Sequence, residues 1–162
     1  MYEFMRHLKR DPESNKIIGL HENFFLPVGL SEINEAENSL NIAFPAELRQ
    51  FYMEVGWGQL QTGNSGAVAD YNYIASPREI VAIIDGASEW LMPYSQIEAQ
   101  TLPFLQRDVD LFLCLHPNSD NPNAVYWMWG EKMSNGGRIC DSLVGFFRRL
   151  VDDPNWFNLP NP

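Results

Sequence analysis

Cys114 and His116 come nearest, by type and spacing, to a nucleophile and its base. A thiol needs an adjacent imidazole, or a comparable cation, to act as a thiolate at neutral pH. The two residues stand at the end of the run Leu-Phe-Leu-Cys-Leu-His, residues 111–116. On a strand, positions i and i+2 point the same way, side by side, and do not aim at each other. The pair therefore reads as a core cysteine followed by a loop-edge histidine. The carboxylate pairs Asp108/Asp110 and Asp152/Asp153 are the candidates for acid–base work. Neither lies in a run whose pattern argues burial, and without burial nothing poises their pKa values for proton transfer. No catalytic residue is assigned, and the expectation is a protein that is not an enzyme.

Metal and phosphate chemistry fare no better. The chain has no C-x-x-C, and His7, His21 and His116 are scattered, so no metal site is expected. Residues 118–123 are rich in oxygen ligands but lack the acidic spacing, central glycine and terminal glutamate of a calcium loop. Gly136-Gly137 has no Lys-Ser/Thr after it, and no G-x-G-x-x-G occurs. No cofactor is expected.

Aromatic and acidic side chains remain. Trp57, Tyr71, Tyr73, Tyr126, Trp127 and Trp129 are candidates for a contact patch, because aromatic residues bury large area at low entropy cost. On strands of a small domain the same residues also serve as core. Among the acids, Glu47 and Glu54 lie two turns apart on one helix, and Asp120 sits in a turn-rich loop. The candidate partner-binding set is Trp57, Tyr71, Tyr73, Asp120, Trp127, Trp129, Glu47 and Glu54. A solvated face is the plain alternative for the glutamates.

The charge pattern points the same way. The net charge is −10, and residues 22–131 hold fifteen acids against three bases, Arg49, Arg78 and Arg107. Such a body repels nucleic-acid phosphates and favours a basic protein partner, although solubility alone also accounts for it. With 162 residues, 45% of them apolar, the chain can bury a core. No apolar run approaches the ~18–20 residues of a membrane span. The charged opening MYEFMRHLKRDPE does not resemble a secretion signal, so a cytoplasmic protein with free thiols is expected.

These residues need a frame. Ile33, Ala36 and Leu40 share one helical face, with Ser31 placed to cap that helix. Leu48, Phe51, Tyr52 and Val55 repeat i, i+3, i+4, i+7, with Pro45 suited to the first turn and Gly56 as the stop. Residues 2–10 form a candidate short helix, 23–29 an extended linker, 59–66 a loop and 68–74 a strand. Ser76-Pro77-Arg78-Glu79 is a capping-box pattern opening a short helix that Gly86 closes. The apolar run 111–115 and residues 124–129 read as a hairpin around the turn formers of 117–123, and 138–140 as a last short strand after a turn at 135–137. Asp141 or Ser142 caps a helix whose stripe is Leu143, Phe146, Phe147 and Leu150. The expected fold class is α+β: N-terminal helices, a central, mainly antiparallel sheet and a C-terminal helix packed on it. One globular domain is expected overall, with 1–29 an N-terminal helix and linker, 30–152 the domain proper and 153–162 an irregular tail.

The order of several motifs resembles the SMI1/KNR4 family of the SUKH superfamily. They are L-S-x-I at residues 30–33, Glu37, L-N-I-A-F-P at 40–45, Leu48, Phe51 and V-G-W-G at 55–58. I-A-S-P-R-E-I at 74–80, the LFLCLHP run, A-V-Y-W at 124–127 and D-S-L-x-x-F-F at 141–147 follow. The resemblance covers about residues 30–150. It implies an α+β fold and, in bacteria, an immunity protein that binds and neutralises a toxin domain, often a nuclease. Fungal members imply the alternative of a regulatory scaffold with a host partner. Gly56-Trp57-Gly58 stands where many members carry Asn-Gly-Gly, which keeps the turn but puts any contact of that asparagine in doubt.

Overall fold

The computed structural model describes residues 1–10, 23–61, 71–87, 97–108, 111–129 and 132–157, with the backbone alone at 71, 108, 129 and 132–136. A 3-10 helix, Glu3–Leu8, leads into strand β1, Phe24–Leu26, and helices α1, Leu30–Leu40, and α2, Ala46–Glu54. Strands β2, Trp57–Gln61, and β3, Tyr71–Ile74, come next, followed by helix α3, Pro77–Ile84. Strands β4, Leu102–Asp108, β5, Leu111–Leu115, β6, Val125–Trp129, and β7, Lys132–Cys140, complete the sheet before helix α4, Leu143–Asp152. The seven strands pair antiparallel in chain order, so the molecule is α+β with a meandering sheet and a closing helix.

One row of register partners crosses six strands: Phe25, Gly58, Ile74, Leu105, Leu113 and Trp127. All six are buried. Helix α2 covers one end of the row, with Phe51 edge-on to Phe25 at 5.9 Å. Phe51 stacks on Phe147 of α4 at 4.2 Å, and this pair joins the two helices over the sheet. At the other end Trp127 lies under Phe157 at 5.5 Å. The stripes Leu48, Phe51, Tyr52, Val55 and Leu143, Phe146, Phe147, Leu150 are fully buried, as their 3.6-residue spacing predicts. Each such side chain contributes roughly 1.5–3 kcal/mol by leaving water.

The caps are partly as expected. Ser76 and Glu79 form the full capping box of α3, and the Ser142 hydroxyl accepts from Gly145 N at 3.2 Å to start α4. Ser31 does not cap α1: the helix begins at Leu30 with Gly29 in the cap position, which leaves Ser31 inside the first turn. Pro45 occupies the cap position of α2, one residue before the first turn.

Two local expectations, the linker and the loop, change because strand pairing outweighs local residue preference. The short helix expected within residues 2–10 is present, as the 3-10 helix Glu3–Leu8. The supposed linker 23–29 contains β1, and residues 59–61 of the supposed loop belong to β2. The expected turn at Asn135-Gly136-Gly137 coincides with a register shift inside β7, whose residues paired with β6 pass from Met133 directly to Arg138. Gly56 (φ +110°) does end α2, and a side chain there would fall on the carbonyl of Leu26. The Gly-Trp-Gly step is therefore what lets β1 lie against the start of β2. Of the predicted strand 68–74, residues 68–70 lie outside the described residues.

Candidate partner-binding site

Cys114 is buried on β5, and burial, with the charge of Glu98 second, pushes its thiol well above the usual range. A thiol so placed stays protonated and is a poor nucleophile. Both cysteines are free thiols. Asp152 and Asp153 are exposed, and Asp153 accepts from Asn155 N at 3.0 Å in a turn. The side chains of Asp108 and Asp110 lie outside the described ones. Among the described residues no cluster of three His, Cys, Asp or Glu could hold a metal ion. No described helix is long and apolar enough to cross a membrane.

The two glutamates of α2 face inward. The Glu47 carboxylate accepts from Val144 N at 2.9 Å and from the Ser142 hydroxyl at 3.0 Å. It thus serves the N-terminus of α4, where unpaired N–H groups and the helix dipole both favour an anion. Glu54 is only 10% exposed and accepts from the Met1 ammonium at 2.8 Å, Tyr2 N at 2.7 Å and Gln50 at 2.5 Å. The hydrogen bond from that ammonium, helped by those from Gln50 and Tyr2, pulls its carboxyl down to about 2.

The aromatic candidates divide between the two faces of the sheet. Phe24, Gln59, Tyr73, Gln106, Phe112 and Met128 form the register row next to the core row, on the opposite face. Half-buried Trp57 packs edge-on to Phe24 at 6.3 Å and to Tyr73 at 6.2 Å. The Tyr73 hydroxyl donates to Glu79 Oε1 at 2.5 Å, while Glu79 Oε2 accepts from Ser76 N at 2.7 Å. One carboxylate thus caps α3 and anchors the tyrosine. Trp127 points the other way, 9% exposed, into the core under Phe157. Tyr126 is half-buried, and the side chains of Tyr71 and Trp129 lie outside the described ones.

Asp120 is exposed in the turn between β5 and β6, three strands away from Trp57. Glu35, Asp85, Glu98 and Asp141 are exposed as well. The structure therefore brings Trp57 and Tyr73 together, leaves Asp120 apart, and turns Glu47, Glu54 and Trp127 to internal contacts. Sequence reasoning also passed over two polar clasps. Glu37 holds Arg49 and accepts from Phe44 N at 2.7 Å, fixing the α1–α2 joint. Arg107 donates to Asn72 Oδ1 at 3.3 Å and Asn155 Oδ1 at 2.7 Å, while the Asn72 amide donates to Pro154 O at 3.1 Å. The lone arginine within an otherwise apolar and amide-rich strand segment was the available signal for the second.

The structure is an α+β domain with Glu47 and Glu54 turned inward, aromatic residues on the opposite sheet face and acidic side chains exposed. The chain belongs to the SMI1/KNR4 family (SUKH-1), whose pattern matches residues 27–149. It is similar to the Immunity protein YxxD of Bacillus subtilis (strain 168), 28% identical over 141 residues, which span 84% of this chain and 88% of that protein.

Proposed function

We propose that this protein is a non-enzymatic immunity protein that binds and neutralises a cognate toxin domain in the cytoplasm. The observation that carries this reading is the likeness to an immunity protein along nearly the whole of both chains. The toxin is proposed to be basic, because fifteen acids against three bases over residues 22–131 favour a cationic partner. A nuclease fits, since a surface that grips phosphates must carry the positive charge this body attracts. Asp120 and the Trp57–Tyr73 pair, with Tyr71 and Trp129, are the proposed contacts. Glu47, Glu54 and Trp127 act from beneath, by holding α4, the N-terminal segment and β6 in place.

The test is co-expression with the toxin encoded beside its gene. Cells that make both are expected to grow, and cells that make the toxin alone to die. Equal death with and without this protein would sink the reading for that partner. Affinity of the purified pair is also expected to weaken as salt screens the charges.

A further inference from the structure

We infer that Thr101 and His116 hold one buried water molecule between them at the end of the β4–β5 ladder. Leu102 and Leu115 are the end pair of the ladder, and continuing their register sets Thr101 opposite His116. Directly opposed residues of an antiparallel pair place their side chains on one face, with Cβ atoms about 4.5–5.5 Å apart. Thr101 is 1% exposed, and its hydroxyl has no hydrogen-bond partner among the described residues. His116 Nδ1 is buried and equally unpartnered. The continued register thus sets two orphaned polar atoms opposite each other.

The backbone at both residues is held by turns. Thr101 N donates to Glu98 O at 3.2 Å and closes one turn. Ser119 donates to His116 O through its backbone N at 3.0 Å and its hydroxyl at 2.8 Å, closing the other. The Asn118 amide donates to Gln100 Oε1 and stitches the two turns together. Leaving one buried polar atom unpaired shifts a folding equilibrium by about tenfold to a hundredfold. A water both donates and accepts, so it satisfies the hydroxyl and the imidazole nitrogen in either histidine tautomer. Two to four polar partners are what buried waters hold.

The sign of one substitution tests it. Thr101→Val keeps the shape and removes the hydroxyl. With a bridging water, its unfolding equilibrium constant, from urea titration, is expected to rise about tenfold. In a His116→Phe background the same change is expected to alter that constant less than about twofold, because the shared water has already lost its second partner. A crystal structure of the unaltered protein is expected to show an ordered water within about 2.6–3.2 Å of both atoms. A fall in the unfolding constant of Thr101→Val would mean a hydroxyl with no partner to lose, and would overturn the inference. Independent effects of the two substitutions, or a direct Thr101–His116 bond in the crystal, would overturn it too.

Discussion

Glu47 and Glu54 on α2 and Asp120 in the β5–β6 turn are all carboxylates in an acidic chain, and all suit recognition of a basic partner. The fold treats them in opposite ways. Glu47 spans 95 and 97 residues of sequence to reach Ser142 and Val144, and Glu54 spans 53 to reach Met1. Asp120 stands in solvent. The interior pair meets backbone N–H groups and an ammonium, donors that make a shielded charge affordable. The exterior acid meets water, so its free energy is available to a partner. In this protein, then, net charge speaks for the exterior only, and part of the −10 is committed to assembling the fold.

If that division holds, substitutions should separate by region. The largest effect belongs to the apolar seam that joins the helices over the sheet. Phe51 is fully buried, stacked on Phe147 and edge-on to Tyr2 at 5.1 Å and Phe25 at 5.9 Å. Phe51→Ala is expected to cost about 3–5 kcal/mol of unfolding free energy in urea titration. A loss below about 1 kcal/mol would mean that the seam repacks and α2 is not pinned through it.

The next effect tests the glutamate facing α4. Glu47→Ala leaves Val144 N and the Ser142 hydroxyl without this acceptor at a half-buried helix start. A loss of about 1–3 kcal/mol is expected. Hydrogen exchange should quicken in the first turn of α4 before it does elsewhere. Asp120→Asn, by contrast, should change stability by no more than about 0.5 kcal/mol. Equal losses from the two substitutions would erase the distinction between interior and exterior acids.

Much of this frame was legible because one-sided burial writes its period into the chain. The stripes of α2 and α4, the capping box at Ser76 and the β5–β6 hairpin are local patterns, and each appears where its residues predict. What stayed hidden depends on partners distant in sequence. β1 has three residues and exists because β2, more than thirty positions later, pairs with it. The Asn-Gly-Gly of β7 marks a break in the ladder, but that a strand continues on both sides of it depends on β6. Trp127 looks like surface or core with equal ease, and Phe157, thirty residues on, decides the matter. The roles of Glu47 and Glu54 were unreadable for the same reason, since a carboxylate carries no local sign of which N–H it will meet. The family motifs mark the scaffold, not the contact surface, so the site was legible only as residue types.

The smallest effect follows from the carboxyl of Glu54, held at about 2 against an ordinary value of 4.5. Because the folded state lowers this pKa, the unfolded chain takes up the proton first as acid is added. The stabilisation is therefore fully present above pH 4.5 and is lost as the pH falls toward about 2. The urea midpoint of the unaltered protein should drop across that window. Glu54→Gln, which still accepts a hydrogen bond but carries no charge, should start from a lower midpoint at pH 7 and show a shallower fall in acid. Asp120→Asn should leave the steepness of the acid fall as it was. A Glu54→Gln profile parallel to that of the unaltered protein would show that the ammonium of Met1 does not hold this carboxylate in solution. The inner face of α2 would then be set apart by its apolar stripe and by Glu47, and not by Glu54.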